Sequence, residues 1–153
     1  METEPIREAM ISAAHTRWEY QSDENPKRKH HWEKDHPGFV EVPRRKSRGS
    51  VRVGKCPSKL APSEENRELL NRLLNSGIPW FPSNWVHEHP KRIYIVHNGW
   101  LYRATPTVAG RSYHAFPEDY QQRRVPPKIH TSIREEAERL GCAREIERWL
   151  GNN

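Results

Sequence analysis

The chain has 153 residues, which fits one domain spanning residues 1–153 and is too short for two. Hydrophobic residues make up 33% and charged residues 30%, with 13 prolines, so we expect a small core and much loop. Six tryptophans and five tyrosines argue against wholesale disorder, and the net charge of +6 favours a polyanionic partner.

The N-terminal segment predicts one helix followed by a loop. Pro5 suits a first helical position, and apolar residues recur at helical spacing, so we expect an amphipathic helix from about Pro5 to Tyr20. Turn formers and charges fill the next stretch, which has no usable period. We therefore predict a loop or loosely ordered segment over residues 21–37.

Two short β-prone runs and a helix follow. The stretches GFVEV and SVRVGK each alternate valines with other residues, and PRRKSRG separates them, so we predict a hairpin with a strongly basic tip. The stretch APSEENRELLNRLLNSG has an apolar stripe at helical spacing and ends at a glycine. It predicts a central helix.

The strongest local signal is Asn98-Gly99 between two β-prone runs, which predicts a two-residue type I′ hairpin with His97 opposite Trp100. A third strand is predicted over residues 111–116. If the second turn is centred near Val108, His114 lies opposite Tyr102 and Tyr113 opposite Arg103. A slip of one residue swaps the faces of the third strand and puts His114 beside Arg103.

The C-terminal stretch TSIREEAERLGCAREIERWLGNN has an apolar helical stripe that Gly141 either splits or weakens. The fold class predicted is therefore α+β, a small antiparallel sheet (hairpin plus three-strand meander) packed with N-terminal, central and C-terminal helices. Neither a signal-like start nor an apolar run of membrane-spanning length is present, and two distant cysteines suggest no disulfide scaffold. We expect a soluble, cytoplasmic protein with no membrane partner.

The meander also carries side chains that suit metal-independent RNA cleavage. Such cleavage needs a general base for the 2′-hydroxyl, a general acid for the leaving oxygen and cations on the phosphate. Histidine suits the first two tasks and arginine the third. The candidate catalytic residues, on an acid-free basic background, are His97, His114, Tyr113, Arg103 and Arg111. Here His114 acts as base or acid with His97 as its partner, and Tyr113 orients the scissile group.

Further basic and aromatic residues are candidates for binding nucleic acid. The segment from Val42 to Lys59 has seven basic residues and no acid, and its hairpin tip is interpreted either as a phosphate-contacting arm or as a solvated turn. An exposed tryptophan can stack an unpaired base. The candidate binding residues are Arg44, Arg45, Lys46, Arg48, Lys55 and Trp100.

A zinc site is a weaker interpretation. His87 and His89 have the spacing of a strand chelate, and they would need Cys56 or one of His30, His31 and His36 to complete it. No ligand pair has finger-like spacing, so we predict no metal and no cofactor. Nucleotide-binding, zincin and α/β-hydrolase motifs are also absent.

These features favour an RNA-directed, metal-independent endoribonuclease. A small basic α+β protein whose sheet carries histidine, arginine and tyrosine is similar in mechanism to metal-independent endoribonuclease toxins, although this similarity carries over no residue. One alternative is a non-catalytic nucleic-acid-binding module in which the histidines are structural. Another is an interaction factor that docks on an acidic protein partner or inhibitor.

Overall fold

A computed structural model describes residues 18–21, 30–46 and 48–151, and it confirms the mixed α+β class. The described part of the chain contains three α-helices and two sheets. The strands are β1 (Glu19–Tyr20), β2 (Gly38–Pro43), β3 (Ser50–Lys55), β4 (Ile78–Trp80), β5 (Arg92–His97), β6 (Trp100–Val108) and β7 (Ser112–Pro117). The helices are α1 (Arg67–Asn75), α2 (His130–Arg139) and α3 (Ala143–Leu150), with 3₁₀ turns at Ser58–Leu60 and Pro127–Ile129.

The main sheet has five strands in the order β1-β7-β6-β5-β4. The predicted meander is its centre, since β5, β6 and β7 pair antiparallel with their chain neighbours. Strand β4, which is not among the elements predicted from the sequence, adds antiparallel to β5. Strand β1 adds in parallel to β7, so the predicted N-terminal helix is wrong at Glu19 and Tyr20, and the rest of it up to residue 17 lies outside the described residues.

The β5–β6 hairpin matches its prediction in register. Asn98 and Gly99 have φ of 50° and 76°, the left-handed values that a type I′ turn requires. His97 pairs with Trp100 and Tyr94 with Arg103, as expected for a two-residue turn. Here a local sequence signal alone specifies the register of two paired strands.

The register of β7 differs from the one expected with a turn at Val108. His114 lies opposite Thr105, and Arg103 lies opposite Phe116. The cause is a longer connection between the two strands. A bulge interrupts β6 between Pro106 and Val108, and Arg111 N–H donates to Val108 O at 2.9 Å to close the turn. The odd shift exchanges the two faces of β7, so His114 shares a face with Arg103.

Each face of the sheet has its own core. Helices α2 and α3 cover one face through Ile133, Ile146 and Trp149, which pack on Tyr94 and Leu101. Helix α1 covers the other face through Leu70 and Leu74, which join residues including Ile93, Ile95, Tyr102, Tyr113 and Ala115. Both helical layers use the apolar stripes that the sequence predicts.

Strand β1 is held on its second edge by side chains rather than by another strand. Trp18 N–H donates to Asn75 Oδ1 at 3.0 Å, and Tyr20 N–H donates to Asn71 Oδ1 at 2.7 Å. Asn75 Nδ2 also donates to Trp18 O at 2.8 Å. Two amides of α1 thus satisfy backbone groups that a neighbouring strand would otherwise have to pair.

Strands β2 and β3 form the predicted hairpin, with Val40 opposite Val53, and its tip carries the basic residues. The base of the hairpin lies against β7, because a Cβ added at Gly54 would sit only 2.6 Å from Pro117 O. Within the predicted 21–37 loop, the described part is irregular apart from one bridge between His31 and Cys56. None of the helices described has the length and apolar character of a membrane span.

Candidate active site

A row of polar and aromatic side chains crosses one face of the main sheet, on strand positions that alternate with the core of the opposite face. Strand pairing sets this alignment: Trp80 lies opposite Arg92, Arg103 opposite Tyr94 and Phe116, and Thr105 opposite His114. We call this set the polar row; its members are Trp80, Arg92, Tyr94, Arg103, Thr105, His114 and Phe116. Helices α2 and α3 pack on the other end of the same face, around Val96 and Leu101.

His114 is oriented by two threonine hydroxyls. Thr107 Oγ1 donates to Gln21 Oε1 at 3.0 Å, so its oxygen accepts from His114 Nδ1–H at 2.7 Å. His114 Nε2 lies 3.2 Å from Thr105 Oγ1. A hydroxyl both donates and accepts, so Thr105 can pair with Nε2 whether that nitrogen carries a proton or a lone pair. The ring is therefore fixed in place in both of its protonation states.

A second imidazole lies parallel to the first. The rings of His30 and His114 have centroids 6.0 Å apart with an interplanar angle of 13°, and His30 also stacks on Phe116 at 4.4 Å. His30 Nδ1 lies 3.1 Å from Gly54 O. A carbonyl only accepts, so Nδ1 carries the hydrogen and Nε2 carries the lone pair of the neutral ring. Both histidines thus use Nδ1 for a hydrogen bond to an oxygen atom, and Nε2 of His114 also lies within hydrogen-bond distance of Thr105.

Beside the histidines lies a buried ion pair. Arg103 Nε is 3.3 Å from Glu118 Oε1, and the two side chains are 10% and 0% exposed. Neither of these two atoms has a hydrogen bond among the described residues, whereas Glu118 Oε2 accepts from Asp119 N–H at 2.9 Å. Burial lowers the pKa of Arg103, and the charge of Glu118 opposes that shift. Glu118 therefore balances the buried charge of Arg103 and does not itself face solvent.

Other cations surround this ion pair and leave an excess of positive charge. Arg124 Nη2 lies 3.9 Å from Glu118 Oε2, and Arg92 Nη1 donates to the hydroxyl of Tyr94 at 3.1 Å. Burial raises the pKa of Tyr94, with the Arg92 hydrogen bond acting in the opposite direction. Three arginines against one glutamate make this end of the polar row suitable for an anion.

His97 and Tyr113 are not brought to His114. His97 lies on the other face of the sheet, where it lines a cleft of about 470 Å³ between α1, the β5–β6 turn and the α2–α3 connection. Tyr113 is 0% exposed on that same face, and its hydroxyl donates to Pro90 O at 2.7 Å. The physical reason is the β7 register, which moves His114 to the face of Arg103. His97 is therefore no partner of His114, and Tyr113 is a core residue.

The remaining predicted site residues differ in their exposure to solvent and in their contacts. Arg111 precedes β7, is largely exposed and has its Nε 4.0 Å from Glu19 Oε2. Lys55 follows Gly54 in β3 and is half-buried. Trp100 packs edge-on against Trp149 at 5.4 Å and contacts both cores, so its ring is largely occupied by packing.

The basic tip of the β2–β3 hairpin is exposed throughout its described residues. Arg44, Arg45, Lys46 and Arg48 are all exposed, and Arg44 N–H donates to Gly49 O at 3.1 Å to close the tip. Arg52 of the same basic segment is different, because its Nε lies 3.0 Å from Oδ2 of the buried Asp119. The tip, but not the whole segment, can contact a phosphate backbone.

The residues considered as zinc ligands are separated. Cys56 is buried, and its Sγ donates to Ala115 O at 3.4 Å in the core beneath α1. His87 and His89 stack on each other at 5.2 Å in the loop that follows β4. Among the residues that the structure describes, no group of three or more histidine, cysteine, aspartate or glutamate side chains is arranged to hold a metal ion.

Several residues of this site have no role in the sequence-based catalytic set, namely His30, Arg92, Thr105, Thr107, Glu118 and Arg124. The sequence indicates His30 only as a candidate metal ligand, because its segment has no period that places it against the meander. Glu118 and Asp119 do carry a signal, since they are the first acids after the acid-free stretch from His89 to Phe116. An acid pair at the end of a basic sheet is where a counter-ion for a buried arginine is expected.

Comparisons with protein-family models, with curated proteins and with solved structures give no match for this chain.

Proposed function

We propose that this protein is an RNA-directed, metal-independent endoribonuclease, similar in mechanism to endoribonuclease toxins, that acts at the polar row. The observation that supports this best is the parallel pair of imidazoles, His30 and His114, whose Nδ1 atoms both hydrogen-bond to oxygen. A single histidine can serve as acid or base in one step. Two histidines side by side can serve as both at once.

The proposed reaction is a transesterification. The 2′-oxygen of a ribose attacks the adjacent phosphorus while one imidazole, neutral at Nε2, takes the 2′-hydroxyl proton. The bond from phosphorus to the 5′-oxygen breaks, and the other imidazole, protonated at Nε2, gives its proton to that oxygen. The products are a 2′,3′-cyclic phosphate and a 5′-hydroxyl, with all atoms and charges balanced. We assign His114 and His30 to these two tasks jointly, and no cofactor takes part.

The phosphate carries growing negative charge in the transition state, and the arginines of the polar row are its proposed partners. Arg103 lies on the same sheet face as His114, with its Cζ 5.0 Å from the centroid of Phe116, the ring on which His30 stacks. Arg92 and Arg124 add charge beside it, and Arg111 immediately precedes the strand that carries His114. Cations fixed before the reaction stabilise that charge at little reorganisation cost.

The exposed tip of the β2–β3 hairpin is proposed to bind the RNA backbone away from the reacting phosphate. Its cations, together with Lys55 at the base of the hairpin, give a basic path towards the polar row. This exposed tip also favours the alternative of a binding module without catalysis. In either case RNA is the favoured partner, and the expected cytoplasmic location remains part of the proposal. An acidic protein inhibitor that covers the tip fits the same charge.

The test is incubation of the purified protein with end-labelled total RNA in EDTA, comparing wild type with His114→Ala and His30→Ala. We expect discrete cleavage by the wild type and a loss of at least about 100-fold in each variant, since acid or base catalysis contributes roughly 10²–10⁴-fold. His36→Ala is the matched control, because His36 is exposed and packs only on Trp32 among the aromatic contacts of the described residues.

His97→Ala separates this site from the pairing suggested by the sequence. Its cleavage rate should stay within a few-fold of wild type, because His97 lies on the other sheet face. Cleavage that depends on His97 but not on His30 would overturn the assignment. Intact RNA with the wild type, combined with salt-sensitive RNA binding, would replace the enzyme by the binding module.

A further inference from the structure

The loop between β4 and β5 builds a compact cluster of three rings. Trp85 packs edge-on against His87 at 4.7 Å and His89 at 5.5 Å, and these two histidines stack at 5.2 Å. Trp85 Nε1–H donates to His89 O at 2.6 Å. Pro90 O at the end of the loop accepts from the buried Tyr113 hydroxyl at 2.7 Å. The loop is thus tied both to itself and to the sheet core.

This fixed loop nevertheless leaves apolar side chains in solvent. Val86 is 88% exposed and Phe81 is 47% exposed, and His87, which follows Val86, is also an exposed residue. A folded chain gains nothing in stability from holding such side chains outside its core. Apolar and aromatic groups grouped on a braced loop are typical of an interaction surface.

Cations connect this loop to the polar row. Lys91 Nζ lies 5.9 Å from the centroid of Trp80 and 5.8 Å from the centroid of Trp85, and Arg92 Cζ lies 5.0 Å from the Trp80 ring. Trp80 belongs to the polar row and Trp85 to the loop. Glu88 is the one acid between Phe81 and Arg92, and it is exposed. The surface is therefore aromatic with a net positive charge.

This combination fits single-stranded nucleic acid better than a duplex or an acidic protein. Unpaired bases expose their ring faces and stack on aromatic side chains, while cations between the rings meet the phosphates. A duplex buries the base faces, and the carboxylates of an acidic protein pair with the cations and not with the rings. The loop also joins β4 to β5, the strands that carry Trp80 and Arg92 of the polar row, so a strand bound at that end of the row would lie next to it.

We propose that the loop of residues 81–91 is a stacking site for unpaired bases, with Trp85 and His87 as the stacking rings and Lys91 on the backbone. This inference rests on the proposed function and deepens it, because it makes single-stranded RNA the substrate. Phe81 and Val86 form the apolar rim of the site.

The test measures binding with the full-length His114→Ala protein, so that no RNA is cleaved. The probes are a labelled ten-nucleotide RNA of mixed sequence and the same RNA annealed to its complement. We expect Trp85→Ala, added to His114→Ala, to weaken single-strand binding about 5-fold to 100-fold, the range for removal of one stacking ring, and to leave duplex binding unchanged. Phe81→Ser with Val86→Ser tests the same surface through exposed residues whose replacement leaves the core intact.

Trp32→Ala is the matched control, because Trp32 Nε1 also donates to the carbonyl of the histidine four residues later, His36 O, at 2.8 Å. Equal weakening of binding in Trp32→Ala and Trp85→Ala, or unchanged binding in Trp85→Ala and the rim variant, would overturn the stacking site while leaving wild-type cleavage intact. Conversely, Trp85-dependent single-strand binding by a wild-type protein that never cleaves RNA would support the stacking site and refute the enzyme.

Discussion

Arg103 and Glu118 form an ion pair that is almost sealed from solvent, with Nε and Oε1 3.3 Å apart. Taking both charges out of water costs several kcal/mol, and their attraction offsets that cost only while both are present. The pair therefore makes the stability of the fold depend on a group of the proposed site.

Replacing Glu118 by Gln should lower the free energy of unfolding by about 3 kcal/mol, because Arg103 is left buried without a counter-ion. Glutamine keeps an acceptor for Asp119 N–H, so the loss reports mainly the charge. Urea unfolding followed by tryptophan fluorescence measures it. The double variant Arg103→Met with Glu118→Gln should recover most of the loss. Glu136→Gln, which breaks an exposed pair with Arg139, is the control and should change the urea midpoint little.

His97 should make stability depend on pH. Burial lowers its pKa below the ordinary value of 6.5, and its Nε2 lies 3.3 Å from the Asn98 side-chain amide. The unfolded state then binds protons more readily, so stability is lost as the pH falls through 6.5 towards the folded pKa and is retained above 6.5. His97→Gln should remove this contribution. Unfolding free energies of both proteins from about pH 8 to about pH 5 test it, and a constant difference between them would contradict it.

The hairpin tip should set the salt dependence of RNA binding. Arg44→Gln with Arg45→Gln removes two exposed cations, and the slope of log K against log salt should fall by about 0.7 for each phosphate that is no longer neutralised. The control is the double variant Lys128→Gln with Arg144→Gln. It removes two exposed cations, one just before α2 and one in α3, and therefore changes the net charge by the same amount. Equal slopes for the two double variants would mean that the tip acts only through net charge.

Both thiols should be unreactive in the folded protein. Burial raises the pKa of Cys56 to about 12, and burial likewise raises the pKa of Cys142. The thiolate is the reactive form, so at about pH 8 a disulfide reagent such as DTNB should label neither cysteine until urea is added. Fast labelling of one thiol in the native state would show that its core cluster opens locally.

Local sequence signals predicted two of the hairpins in the fold. Asn98-Gly99 defines the β5–β6 register because its turn has only one compatible strand pairing, and the valine alternation defines the β2–β3 hairpin. The β7 register was not determined in this way. A bulge near Thr107 and a turn through Gly110, which has φ of 76°, add residues that no simple alternation counts.

The placement of the candidate site residues followed from the sequence only in part. The register expected with a turn at Val108 puts His114 and Arg103 on opposite faces, whereas the shifted register, which the sequence left open as an alternative, gives the shared face that the structure shows. His30 and Glu118 come from segments without periodicity, and only tertiary packing brings them to the sheet. His97 illustrates the opposite case, because a residue near a site in sequence is placed on the other face by the pleat of the strand.

Strand β1 has a consequence for the order of folding. Gln21, which directly follows β1, accepts from the Thr107 hydroxyl that orients His114, and Glu19 pairs with Ser112 from the far half of the chain. Closing so long a loop is slow compared with forming the β5–β6 hairpin. Refolding should therefore restore tryptophan burial before the proposed RNA cleavage, and Asn71→Ala, which removes a side-chain bond to β1, should widen the interval between them. Activity would then report that the two distant ends of the fold have joined.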